Sequence, residues 1–135
     1  MVKASLDNQL MITVDNKVGT LSEIGNLVAS AGINIVAVCA YTINGKGFVM
    51  FVSEDNKKAL RLLKGKKYNV REEEVIVASV DNTPGALQAV TQAIADAEID
   101  MTFLYGSADS AAGSSTIVLT CEDNEGALRL INMLP

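Results

Sequence analysis

Val14-Asp15-Asn16-Lys17-Val18-Gly19-Thr20-Leu21 returns 66 residues later as Val80-Asp81-Asn82-Thr83-Pro84-Gly85-Ala86-Leu87. At the same spacing Ile24 is matched by Val90, Val28 by Ile94, Ala31 by Ala97 and Ile33 by Ile99. A second block, Glu54-Asp55-Asn56 followed by Ala59-Leu60-Arg61-Leu62, returns 68 residues later as Glu122-Asp123-Asn124 followed by Ala127-Leu128-Arg129-Leu130. The two extra residues fall in the small, polar stretch from Ser107 to Ser115, where a longer turn costs little. Two blocks repeated in the same order define an internal duplication. Residues 1–73 form the first copy and residues 74–135 the second.

Each copy reads as strand, helix, strand, strand, helix. Leu10 to Val14 and Val75 to Val80 are β-rich runs ending in an Asp-Asn turn signal. Leu21, Ile24, Leu27, Val28 and Ala31 then fall on one helical face, as do Leu87, Val90, Ile94 and Ala97. Thr83-Pro84 suits a helix start, with Thr as N-cap and Pro at the first helical position. In the first copy Thr20 and Glu23 are spaced for a capping box, and Gly32 suits a left-handed helix exit, where the second copy has Glu98. Asn44-Gly45 predicts a hairpin between Ile33–Tyr41 and Phe48–Val52. Asp55 and Asp123 are the expected N-caps of the second helices, and Gly65 the end of the first of these. Tyr68 to Glu73 supplies a fourth strand to the first copy. The second copy ends at Pro135 without one, so its sheet either lacks that strand or takes it from residues near Val2 to Leu6.

This order, β-α-β-β-α-β, is ferredoxin-like. The fold class is therefore α+β: two such repeats, each an antiparallel sheet with its helices on one face. Sheets covered on one face should alternate apolar and polar residues. Ile33 to Ala40 and Phe48 to Val52 are instead apolar on both, so the second face calls for a cover: the sister repeat, another subunit, or both.

Composition narrows the function classes. Hydrophobic residues make up 49 % and charged residues 20 %, enough for a core without disorder. The net charge is −5 and the longest basic cluster is Lys64-Gly65-Lys66-Lys67, which argues against nucleic acid as a partner. Histidine is absent, which removes the commonest general base and metal ligand together. With no paired-carboxylate motif, no catalytic residue, no metal site and no cofactor are expected. Cys39 and Cys121 stand in apolar runs outside any CxxC pattern and read as buried free thiols, with a bridge between them as the alternative. The polar start of the chain, and the lack of any apolar stretch of membrane-spanning length, point to a cytoplasmic protein.

A βαββαβ unit with Asp-Asn-x-x-Gly-x-Leu after its first strand and Gly-Ile-Asn-Ile opening its second resembles the ACT domain. The residues that carry the likeness are Asp15, Asn16, Gly19, Leu21, Gly32, Ile33, Asn34 and Ile35 in the first copy. In the second they are Asp81, Asn82, Pro84, Gly85, Leu87, Ile99, Asp100 and Met101. The direct run of one unit into the next, with Tyr105-Gly106 in the second, is most similar to the small stand-alone tandem ACT proteins of bacteria. The resemblance implies a regulatory module that binds an amino acid between paired units. The ligand would lie against the loop from first strand to first helix and reach the start of the second strand. Some serine-binding members carry His two residues before the loop Asn; Val14 and Val80 stand there instead, which counts against a simple serine site.

The loop chemistry agrees with that implication. Gly19 and Gly85 stand where a helix begins, and the free N–H groups there favour a carboxylate. A missing Cβ lets a ligand approach the backbone, and Asn16 and Asn82 offer both donor and acceptor. Lys17 at the loop edge either attracts an anion or faces water. Asn34 occupies a position the family often uses to hold its ligand, and Asp100, its counterpart, could hold an ammonium group. The candidate ligand-binding set is Asn16, Lys17, Val18, Gly19 and Asn34, with Asn82, Thr83, Pro84, Gly85 and Asp100. The expected function is amino-acid sensing by a homo-oligomer, possessing no enzymatic activity and acting on a regulated enzyme, as in the regulatory subunits of branched-chain amino-acid synthesis. The competing expectation is an interaction module that oligomerises without ligand.

Overall fold

The computed structural model describes residues 2–109 and 113–135. Part of the lengthened turn inferred between Ser107 and Ser115, residues 110–112, lies outside the described residues. Ten elements follow one another: β1 (Lys3–Asp15), α1 (Thr20–Ser30), β2 (Ile35–Ile43), β3 (Lys46–Ser53), α2 (Asn56–Gly65), β4 (Asn69–Asp81), α3 (Ala86–Asp96), β5 (Met101–Asp109), β6 (Ser114–Cys121) and α4 (Asn124–Asn132). The β-α-β-β-α order occurs twice. Antiparallel ladders join β1 to β3, β2 to β3, β4 to β6 and β5 to β6.

The chain divides into two compact units. One comprises Asn8–Glu73; the other joins the residues up to Asp7 to Glu74–Pro135. The boundary falls inside β1 and β4, both 13 residues long. β1 starts well before Leu10, residues 69–73 and Val75–Val80 belong to one strand rather than two, and Tyr68 precedes that strand.

In the unit Asn8–Glu73 the strand order is β2-β3-β1-β4. Its core joins Leu10 and Ile12 of β1, Ile24 and Val28 of α1, Val49 and Phe51 of β3, Leu63 of α2 and Val70 of β4. Each such side chain, once fully buried, contributes roughly 1.5–3 kcal/mol. The hairpin between β2 and β3 forms at Asn44-Gly45 with both residues at positive φ, 50° and 78°, the geometry of a type I′ turn. Met50 and Val52, on the strand face away from that core, are also buried. Val36, Val38, Tyr41 and Ile43 of β2 stay exposed.

In the other unit the order is β1-β4-β6-β5, with β1 represented by Lys3–Asp7. Val2 and Ala4 pack against a core that includes Ile76, Val90, Ile94, Leu119 and Ile131. Asn132 at the end of α4 fastens this segment from both sides. Its Oδ1 accepts from the Ala4 N–H at 2.9 Å, and its Nδ2 donates to the Ala4 carbonyl at 3.0 Å.

Helix ends repeat between the copies and correct part of the sequence reading. The second helices are capped as expected: Asp55 accepts from the Lys58 N–H at 3.1 Å and Asp123 from the Gly126 N–H at 2.9 Å. The first helices are not. Gly19 and Gly85 are their N-caps, without a side-chain cap bond. Thr83 is not the cap, Pro84 is not the first helical residue, and the Thr20–Glu23 capping box does not form. Thr20 Oγ1 donates to the Lys17 carbonyl instead, at 3.1 Å. The physical reason is backbone conformation: φ is +90° at Gly19 and +89° at Gly85, where a side chain is strained. At the other end Gly32 has φ +76° and Glu98 takes the same left-handed turn at +56°. Ile33 N–H bonds to the Val28 carbonyl and Ile99 N–H to that of Ile94, both at 3.2 Å. Identical hydrogen bonding lets a glutamate fill a position that favours glycine.

Candidate ligand-binding site

The two β-to-α loops are built alike. Asn16 N–H donates to the Gly45 carbonyl and Asn82 N–H to the Gly113 carbonyl, both at 3.0 Å. These bonds tie each loop to the tip of its own unit's hairpin. Thr20 N–H then reaches the Lys17 carbonyl at 3.3 Å, and Ala86 N–H that of Thr83 at 3.2 Å. The loop is held by its backbone, leaving the side chains of Asn16 and Asn82 to other uses.

Beside each loop lies a cavity, of about 370 Å³ in the first copy and about 380 Å³ in the second. Both are at the small end of the range that holds low-molecular-weight ligands. The first is bounded by Asn16, Lys17 and Gly19 of the loop, by Leu21 in the first turn of α1, and by Val14 and Val49 of the sheet. Asn82 and Thr83, Leu87, Val80 and Ile117 occupy the matching places in the second. Strand register explains the floors. Gly47 lies opposite both Val14 and Thr42, and Ala40 opposite Val49. Ser115 lies opposite Val80, and Gly106 opposite Ile117. A Cβ on Gly47 would stand 3.0 Å from Val14 Cγ2, and one on Gly106 would stand 3.1 Å from the Thr116 carbonyl oxygen. Each floor therefore keeps one bare backbone position.

Apolar side chains of the sheet and polar groups of the loop together line each cavity. Thr20, Leu21 and Ser22 stand in the wall of the first, and N–H groups of a first helical turn lack intrahelical acceptors. Next to the loop, the Lys46 ammonium lies 2.7 Å from Asp15 Oδ1. Its hydrogen bond and charge hold the Asp15 carboxyl below the usual range.

Of the residues singled out in the sequence, Asn16, Lys17 and Gly19 border the first cavity, and Asn82 and Thr83 the second. Val18 is fully exposed, and Pro84 and Gly85 are exposed on the loop without bordering the second cavity. Asn34 and Asp100 are not brought to the cavity of their own copy. They precede β2 and β5, whereas the cavities meet those strands at Ala40–Thr42 and at Leu104–Ser107. Asn34 Nδ2 instead lies 3.4 Å from Glu54 Oε1. Asp100 lies near Cys121, whose thiol is pushed up by burial first and then by the charges of Asp100 and Asp123.

Helical spacing puts Leu21 and Leu87 on the apolar face of their helices, yet they are 49 % and 47 % exposed. Both border the cavities, and their place in the first helical turn was the available signal. The sheet residues Val49, Gly47, Ile117 and Ser115 carried no such signal, because only strand pairing brings them to the loops.

The two cavities face no group of His, Cys, Asp and Glu fit for a metal; none occurs among the described residues. Nor is any helix among them long and apolar enough to cross a membrane. Fold and loops together define a tandem ferredoxin-like module with one loop-side cavity in each copy. Residues 6–134 match the family model described as an ACT domain pair, and the chain belongs to that family. No curated protein matches the sequence. Among solved structures it is similar to protein BT0572 from Bacteroides thetaiotaomicron, with TM-score 0.87, 25 % identity and coverage of 96 % of this chain and 88 % of that one. The regulatory subunit of aspartate kinase from Thermus thermophilus, in its ligand-free form, shares the fold with TM-score 0.68 and 15 % identity, over 96 % and 94 % of the two chains. The corresponding subunit from Thermus flavus gives 0.65 and 17 %, over 97 % and 94 %.

Proposed function

We propose that this protein is a regulatory sensor that binds a free amino acid in the cavities beside its two β-to-α loops. The observation that carries the reading is the recurrence of the same cavity, within about 10 Å³, at the same repeat positions in both units. A zwitterion suits it. The carboxylate meets the N–H groups and positive end of the first helical turn, the Asn16 or Asn82 amide takes either charged end, and the side chain rests on the apolar floor. Asn16, Lys17, Val18 and Gly19, with Asn82, Thr83, Pro84 and Gly85, form the loops that hold the ligand. Asn34 and Asp100 serve a site only if a second unit presents them. The exposed apolar residues of β2 support assembly into a homo-oligomer, and a bound ligand would alter how units pair, a change a partner enzyme in the cytoplasm can read. The protein itself is not a catalyst.

The test is the melting temperature of the purified protein against each common amino acid at millimolar concentration. A ligand at a hundred times its dissociation constant adds about 2.7 kcal/mol of stability. A selective upward shift that disappears in Asn16→Ala or Asn82→Ala is the expected result. A flat response to the whole set refutes the reading and leaves the ligand-free interaction module.

A further inference from the structure

A further cavity, of about 430 Å³, lies within the unit Asn8–Glu73. It shares Val14, Lys17 and Thr20 with the first loop-side cavity, so the loop between β1 and α1 is a wall common to the two. Glu23 of α1 and the segment Lys67–Asn69, which leads from α2 into β4, also border it. Apart from Val14 and the Tyr68 ring, every residue of its lining is polar or charged. Those charges are unevenly satisfied. Asp15 is paired with Lys46 at 2.7 Å, and the Glu23 carboxylate accepts the Tyr68 hydroxyl. Lys17 adds to the field on Asp15, yet among the described residues neither Lys17 nor Lys67 forms a salt bridge. With Lys46 included, three ammonium groups stand against two carboxylates.

We infer that this cavity is a binding site for a small phosphate-bearing molecule. A phosphate monoester carries a charge of about −1.5 to −2 at neutral pH and three strong acceptor oxygens. It can therefore draw on both free ammonium groups at once, each acting as a point charge. The Thr13 hydroxyl and the Asn69 amide, also in the lining, are donors for its remaining oxygens. Thr20, the first residue of α1, brings the positive end of that helix to the wall. The site belongs to the first copy alone, because the repeat puts Thr83, Ala89 and Pro135 at the places of Lys17, Glu23 and Lys67. A phosphate held in part by Lys17 also acts on the shared loop, and the loop of the second copy does not feel it.

Inorganic phosphate titrated into the full chain at constant ionic strength, with chloride as the balancing anion, tests the site through backbone amide resonances. The expected result is saturable movement of the Gly19, Tyr68 and Asn69 amides while that of Gly85 stays still. Lys67 sits at the left-handed exit of α2, with φ +65°, a conformation that glycine adopts freely. Lys67→Gly therefore keeps the turn while removing the ammonium, and should weaken binding roughly fivefold; Lys67→Arg should retain it. Lys64→Ala removes a neighbouring exposed cation that does not border the cavity and should leave affinity unchanged. An equal loss in Lys64→Ala would mean diffuse attraction to a basic surface and would overturn the site. So would a response that never saturates, or an unaltered affinity in Lys67→Gly. Glycerol 3-phosphate run in parallel separates the sources: tighter binding than the free ion identifies an organic phosphate as the occupant, and equal binding identifies phosphate itself. Failure of the amino-acid melts leaves this site standing, and its own failure leaves the sensor reading standing.

Discussion

Gly19 and Gly25 are six residues apart, and replacing each by alanine should move stability in opposite directions. Neither position is crowded: a Cβ on either would meet nothing within 4 Å. They differ in backbone. Gly19 is the N-cap of α1 with φ +90°, where an L-residue costs about 1–2 kcal/mol. Gly25 lies inside α1, where alanine is better than glycine by about 1 kcal/mol. For a single cooperative transition of 135 residues, the unfolding entropy of about 2.1 cal/mol/K per residue makes 1 kcal/mol worth about 3–4 °C. Gly19→Ala should therefore melt about 4–7 °C below the parent and Gly25→Ala about 3–4 °C above it. Gly85→Ala, at φ +89°, should follow Gly19→Ala. Thermal melts followed by circular dichroism, with urea titrations to check that m is unchanged, make the measurement. If Gly19→Ala is neutral or stabilising, the loop does not need the left-handed conformation. Glycine would then be present for ligand access alone, and the explanation of the missing Thr83 cap would fall with it.

Two further outcomes are expected. The Tyr68 phenol, next to Glu23 and half-buried, is pushed up to about 12, first by burial and then by its hydrogen bond to that carboxylate. The folded state thus holds the proton more tightly than the unfolded one, so the stabilisation is complete below about pH 10 and is lost as pH rises toward 12. Tyrosinate absorbance should show a late-titrating phenol that vanishes in Tyr68→Phe; a uniform titration would refute this. Asn132→Ala removes both bonds to Ala4 and should cost about 1–2 kcal/mol, with faster hydrogen exchange at the Ala4 amide. Unchanged exchange there would mean that the segment Lys3–Asp7 is held without Asn132.

Much of the architecture was legible because it depends on short-range chemistry. The duplicated Asp-Asn-x-x-Gly-x-Leu loop, the hairpin at Asn44-Gly45 and the Asp55 and Asp123 caps are each settled within a few residues, where backbone preference and hydrogen bonding act directly. The N-caps of α1 and α3 are Gly19 and Gly85 rather than a side-chain cap. Thr83-Pro84 has good helix-start chemistry, but the approach of the chain from its strand demands a positive φ, and that requirement is set by where the strand ends.

What only the tertiary structure decided is non-local. Strand pairing over long separations brings Gly47 and Val49, or Ser115 and Ile117, beneath loops some thirty residues earlier in the chain, and no periodicity announces it. The same holds for Leu21 and Leu87, whose apolar spacing marks a core face although their turn overhangs a cavity. It also holds for Lys3–Asp7, which joins the unit built from Glu74–Pro135. Ala4 there finds its partner 128 positions away, at Asn132. Sequence by itself determined the repeat, the element order and the loops, because local preferences fix them. The cavities and the membership of the first strand emerged only from packing, because they depend on which surfaces meet once the chain has folded.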